Sequence, residues 1–266
     1  MLISILNEIS SNETRVAATP ESIKLLIRFG ASVIIEKEAG KQSGYLDEEY
    51  LSVGAKISKR SECLKQGDIC LTVRMPSVKD ICHLKTSCIL IGMLNPYQNK
   101  NLFDELNKQK ITSCCLELLP RISRAQNMDV LSSQSNLAGY RSVIDAAEQF
   151  SKAFPMMMTA AGRINPAKVI VLGVGVAGLQ AIATARRLGA VVCATDVRLA
   201  TKEQVESLGA KFIMVEDEEA RQAETAGGYA KEMSEAYKRK QFQLLATTIS
   251  KQDIVICTAL IPGKPA

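Results

Sequence analysis

Gly173, Gly175 and Gly178 stand at a spacing suited to holding a diphosphate, and Asp196 follows where a ribose-binding acid is expected. The glycine spacing alone is a weak signal, and its flanks strengthen it. Lys168-Val169-Ile170-Val171-Leu172 reads as a buried strand, and an apolar helix from Leu179 to Leu188 closes at Gly189. In that setting Gly173 allows the tight turn, Gly175 lets the backbone approach a pyrophosphate, and Gly178 lets the helix pack on the strand. Val176 and Ala177 complete the turn, where unpaired N–H groups and the helix dipole favour an anion. A second strand, Val191–Thr195, ends at Asp196, followed by Val197 and Arg198. A carboxylate there can accept both hydroxyls of an adenosine ribose and repels a 2′-phosphate, so the expected ligand is NAD(H) rather than NADP(H). The competing reading gives Asp196 only the cap of the next helix. Arg198 is a residue type that welcomes a 2′-phosphate, but the acid holds the strand end.

Other candidates for chemistry are fewer. Ala223-Glu224-Thr225-Ala226-Gly227-Gly228-Tyr229-Ala230 has the backbone freedom of a surface loop, and Tyr229 could serve as a water-excluding lid. The single histidine, His83, lies in a polar stretch and reads as a surface or capping residue. The eight cysteines include no zinc or redox spacing, so they read as small buried hydrophobes in a reducing compartment, and no metal site is expected.

The elements that must position these residues alternate. Strands are expected at Leu2–Leu6, Ser32–Ile35, Asp68–Val73, Ser87–Met93 and Ile111–Leu116. Between the first two lies a helix with Thr19 as N-cap, Pro20 in its first turn and Gly30 as its stop. Further helices are expected near Asp47–Val53, Glu62–Gln66 and Asn101–Lys108. Such alternation predicts parallel sheets covered on both faces. A polar loop, Pro120–Asp129, precedes a long helix expected over Val130–Ala153, whose small residues, Gly139 among them, allow close backbone approach. Pro155 should end that helix, Met156-Met157-Met158 should fill core, and Thr159–Pro166 should link into the second sheet. Lys211–Val215 and Asp253–Thr258 supply two more strands.

The bulk numbers agree with two α/β domains, 1–129 and 130–266, joined by the long helix. The 266 residues suffice for two cores, and the formal charge of +5 is spread among acidic residues rather than gathered into a nucleic-acid-binding patch. Val169–Ala185 would attract a hydropathy window, but its glycines and strand-like start suit a strand, a turn and a buried helix better than a membrane span.

Several longer segments then carry a family resemblance. PRISRAQNMDVLSSQSNLAGYRSVIDAAEQF, PMMMTAAGRINPAKVIVLGVGVAGLQAIATARRLGAVVCATDVR, ATKEQVESLGAKF, AETAGGYAKEM and TALIPGKPA resemble the NAD(H)-binding alpha-subunit domain of proton-translocating NAD(P) transhydrogenases, relatives of the alanine dehydrogenases. The resemblance implies two Rossmann-like parallel-sheet domains with a cleft between them, and a homodimer. It places Arg121, Gln126, Asp129 and Ser132 around the nicotinamide end of NAD(H), with Gln126 facing NADP(H) on a partner domain or beta subunit. It assigns Gly173–Gly178 to the pyrophosphate, Asp196–Arg198 to the adenosine ribose, and Gly228 and Tyr229 to a mobile loop. The implied reaction is direct hydride exchange between NADH and NADP⁺, coupled to proton movement in a membrane domain. The implied place is the cytoplasmic side of the inner membrane, held peripherally by partner subunits. The family's domain continues past Pro265-Ala266, so the second domain is expected to be incomplete at its C-terminal edge.

The alternatives are an alanine-dehydrogenase-like amino acid oxidoreductase and a non-catalytic NAD-binding fragment. Oxidising an amine requires a positioned acid–base group, whereas hydride exchange between two nicotinamide rings moves no substrate proton. Asn12-Glu13-Thr14-Arg15-Val16 resembles the dehydrogenases, but the position of their substrate lysine is Arg74, and Ile91–Pro96 holds no histidine.

Overall fold

The computed structural model describes residues 1–120, 122–215 and 234–259, and the chain divides into two compact units, Met1–Leu131 and Ser132–Ala266.

The first unit is a six-stranded, all-parallel sheet. Its strands are β1 (Leu2–Ile5), β2 (Ser32–Glu36), β3 (Lys56–Ser58), β4 (Ile69–Arg74), β5 (Ile89–Met93) and β6 (Thr112–Cys115), in the spatial order β3-β2-β1-β4-β5-β6. This is the doubly wound order, with its reversal between β1 and β4. Alternation along the strands divides the core between two faces. Ile3, Ile5, Val33 and Ile35 join one apolar cluster, while Leu6, Ile34, Cys70 and Leu90 join another. Helices α1 (Pro20–Arg28), α2 (Asp47–Ser52), α3 (Arg60–Gln66), α4 (Val78–Ile81) and α5 (Lys100–Lys108) connect the strands. The α1 signals act as read: Thr19 Oγ1 accepts from Ser22 N, and Gly30 follows the helix at φ +86°. The strand at Lys56–Ser58 is unannounced in the sequence, being three residues long and bearing a lysine and a serine.

The second unit carries a four-stranded parallel sheet, β11-β10-β9-β12, from β9 (Lys168–Leu172), β10 (Val191–Thr195), β11 (Lys211–Phe212) and β12 (Ile254–Cys257). Val169, Ile170 and Val171 are fully buried at its centre. The described helices beside it are α6 (Val130–Gln149), which begins at the end of the first unit, α7 (Val176–Arg187), α8 (Thr201–Ser207) and α9 (Glu235–Ile249). The apolar run Val169–Ala185 is thus a strand, a turn and part of α7, and no described helix is long and apolar enough to cross a membrane.

Four expectations need correction. Helix α6 stops at Gln149 rather than Ala153, because the chain must turn to bury Phe154, whose ring meets Phe150 edge-on and whose carbonyl accepts from Ala167 N. The stretch read as core filler and then linker, Met156–Pro166, holds a hairpin, β7 (Met157–Thr159) paired antiparallel with β8 (Gly162–Ile164). Met156, Met157 and Met158 are therefore exposed and fill no core. Among the cysteines, Cys63, Cys70, Cys88 and Cys193 are buried as expected, but Cys82 and Cys257 are exposed at element ends and Cys114 is exposed within β6.

Candidate nucleotide-binding site

The second sheet reverses its winding between β9 and β12, so the carboxyl end of β9 is the place where an open α/β sheet leaves a crevice. The chain leaves β9 through Gly173, Val174 and Gly175 and enters α7 at Val176. Gly173 sits at φ +93°, a conformation other L-residues adopt with strain, and a Cβ there would lie 2.8 Å from Ala259 N. At Gly178 a Cβ would strike the Gly173 carbonyl and lie 3.1 Å from Thr258 Oγ1. Gly173 and Gly178 are therefore required by close backbone packing. Gly175 differs, since a Cβ there would meet nothing within 4 Å. It faces open space at the mouth of the turn, and no side chain caps α7. The first-turn N–H groups and the helix dipole thus face a space that suits a diphosphate, which is the fit a dinucleotide requires.

Asp196 borders this turn from the end of β10. Its carboxylate accepts from Val174 N at 2.7 Å, from Arg198 N at 2.9 Å, and from Arg198 Nε and Nη2 at 2.9 and 3.0 Å. Arg198 Nη2 also donates to Val174 O at 3.2 Å. The helix-capping alternative does not hold, because α8 has Ala200 at its N-cap and no side-chain cap. Burial pushes the Asp196 carboxyl up, but Arg198 and the N–H groups of Val174 and Arg198 outweigh it and hold the group below its usual value.

Helix α6 braces the turn from another side. A Cβ at Gly139 would collide with the backbone of Ala177, whose carbonyl carbon would be 2.8 Å away, and Asn136 Nδ2 donates to Gln180 Oε1 at 3.3 Å. Ser132 lies two turns before Gly139 on the same helix, about 10 Å along its axis at ~1.5 Å per residue. Gln126 is exposed in a 3-10 stretch, Ser123–Met128, and Asp129 follows with its N–H on the Gln126 carbonyl. Arg121, Gly228 and Tyr229 lie outside the described residues. Sequence reasoning missed Thr258, which donates to the Gly173 carbonyl at 2.8 Å, and the role of Ala259 against Gly173. The usable signal was strand order, since the strand beside β9 must end at the same crevice.

The first unit has a small cleft of its own at the carboxyl ends of β1 and β4, lined by Asn7, Glu8, Arg60, Thr72 and Arg74, and there the polar groups bind one another. Arg15 Nη2 and Arg74 Nε both bind Glu13 Oε2, at 2.6 and 2.8 Å, and these bonds help hold the Glu13 carboxyl down to about 2. His83 is exposed, with Nδ1 2.6 Å from the Lys79 carbonyl.

Comparison with known proteins accords with this geometry. Residues 4–138 match the family model described as alanine dehydrogenase/PNT, N-terminal domain, and residues 142–266 match alanine dehydrogenase/PNT, C-terminal domain. The whole chain is 53% identical to 71% of a Rhodospirillum rubrum protein, the first of the parts that make up its NAD(P) transhydrogenase subunit alpha. It superposes on 72% of the transhydrogenase structure from Sinorhizobium meliloti, with TM-score 0.91 and 50% identity. A more distant relative is the alanine dehydrogenase of Methanococcus maripaludis, 28% identical over 66% of that protein.

Proposed function

The chain belongs to the alanine dehydrogenase/PNT family, and from that premise we propose that it is the NAD(H)-binding component of an NAD(P) transhydrogenase. The observation that carries the proposal is the uncapped helix α7, opened by Gly173–Gly175 beside buried Asp196 at the sheet's reversal point. In this reading the N–H groups of Gly175, Val176 and Ala177 hold the pyrophosphate, and Gly173 and Gly178 fix the turn's shape. Asp196 takes the adenosine ribose, flanked by Val197 and Arg198. By family resemblance, Arg121, Gln126, Asp129 and Ser132 surround the nicotinamide end, and Gly228 and Tyr229 belong to a loop that serves as its lid.

The bound NADH supplies the hydride, and NADP⁺ on a separate partner domain receives it. The chain's residues need only align the ring and exclude water, because hydride exchange between nicotinamides moves no substrate proton. Gln126 faces the incoming NADP(H). Proton translocation is left to a membrane domain in other parts of the complex, and this component sits at the cytoplasmic membrane face through those partners. A homodimer completes the proposal, and the exposed Met157, Met158 and Ile164 of the β7–β8 hairpin offer apolar surface for it.

Nothing favours the amino acid oxidoreductase to the same degree. Its family pattern needs cations free for a substrate carboxylate, whereas Arg15 and Arg74 both engage Glu13. The test is to mix the chain with a soluble NADP-binding transhydrogenase domain and follow hydride passing between NADH and NADP⁺. Transfer that depends on both proteins is expected. NADH oxidation by pyruvate and ammonia without the partner would replace the proposal with a dehydrogenase, and binding without either reaction would reduce it to a nucleotide-binding module.

A further inference from the structure

We infer that Arg198 and the adenosine ribose compete for the same two acceptor positions of Asp196, so that Arg198 restrains nucleotide affinity instead of supplying it. The inference rests on the proposed nucleotide reading. A carboxylate offers about four lone-pair sites. Here two are filled by the N–H groups of Val174 and Arg198, which the path of the backbone fixes. The other two are filled by Arg198 Nε and Nη2. An adenosine ribose brings two hydroxyl donors, one for each position that the guanidinium holds. The two cannot be satisfied together, because a planar fork on a carboxylate occupies both oxygens side by side. The bond from Nη2 to Val174 O places the same guanidinium against the glycine turn.

Exposure decides which partner yields. The Arg198 side chain is 35% exposed and the Asp196 side chain 6%, so the arginine can swing into water while the acid stays. Simple electrostatics makes the opposite prediction for Arg198. A cation beside a diphosphate should strengthen binding, and its removal should weaken it.

The sign of the effect therefore tests the inference. Arg198→Met keeps the stem and removes the donors. Titration of the full chain should show NADH bound about three- to ten-fold tighter in Arg198→Met, the scale of a partly exposed charge-assisted pair. The gain should persist with ADP and shrink with 2′-deoxy-ADP, which lacks one competing hydroxyl. A general change in folding would move both alike. Arg198→Lys, which cannot hold both positions at once, should fall between parent and Arg198→Met, and it decides the matter if the methionine variant does not fold. Equal or weaker NADH binding by the folded variants, with the parent binding NADH, overturns the inference alone. A chain that binds NADH in no version overturns the nucleotide reading as well. Binding by the variants and not by the parent supports both.

Discussion

The two parallel sheets wind their first four strands in the same order, third, second, first, fourth, and each places an acid where its second strand ends. Glu36 accepts from Asn7 N at 2.8 Å, and Asp196 accepts from Val174 N at 2.7 Å. Both donors stand two residues beyond the first strand of their sheet. The units part at the connection that follows. In the first unit it runs from Leu6 to Thr19 and spends its polar groups internally: Glu8 accepts from Val73 N and Arg74 N, and Glu13 gathers Arg15 and Arg74. In the second unit it is Gly173 to Gly175, with an uncapped helix behind it. The doubly wound frame supplies a crevice in each case, and the turn after the first strand decides whether that crevice offers donors to a ligand or to its own carboxylates.

The largest effect that would sharpen this contrast is expected from Gly173→Ala. It adds a side chain at φ +93° against Ala259, and should cost about 2–3 kcal/mol of stability and about a hundred-fold in NADH affinity. Equilibrium unfolding and NADH titration of the same preparation read the two effects.

The paired acids give the next test. Asp196→Ala should weaken NADH binding about ten- to a hundred-fold, because hydrogen bonds to charged groups contribute about 1.5–3 kcal/mol. Glu36→Ala should instead cost about 2–3 kcal/mol of stability by stripping one partner from Arg60, while leaving NADH affinity within about two-fold. Calorimetric titration of both variants would break the comparison if Glu36→Ala lost the nucleotide or Asp196→Ala kept it.

Gln126→Ala should separate binding from transfer, with near-normal NADH affinity and hydride transfer slowed about ten-fold through poorer alignment. A large affinity loss with normal turnover at saturation would contradict that assignment.

The smallest effect concerns acid. Glu13 titrates at about 2 in the folded chain, against 4.5 ordinarily, chiefly through its bond to Arg15. A depressed carboxyl contributes stability that is fully present above its unfolded value and lost as pH falls through the folded one. Glu13→Gln should therefore flatten the fall in stability between about pH 4.5 and 2, as followed by circular dichroism.

Much of this is legible in the amino-acid sequence. The strand Lys168–Leu172, the turn and the acid at the end of Val191–Thr195 were readable because β-branched runs, glycine spacing and strand ends are local signals. The cap at Thr19 was local too. What the sequence hid depends on distant partners. No pattern tells that Arg198 lies on Asp196 in place of solvent, or that Arg15 and Arg74 meet at one glutamate. Gly139 reads as a residue permitting close approach, but its partner, the backbone of Ala177, is fixed by the packing of α6 on α7. The three methionines were misread because composition assigns them to a core, whereas a two-stranded hairpin outside the main sheet has no core to give them.

Backbone-amide NMR of the full chain during NADH titration tests the central claim most directly. The account predicts that the largest saturable shifts fall on the N–H groups of Gly175, Val176 and Ala177 and on those of Val174 and Arg198, which Asp196 binds. Shifts centred instead on Asn7 to Arg15, or none at saturating NADH, would contradict it.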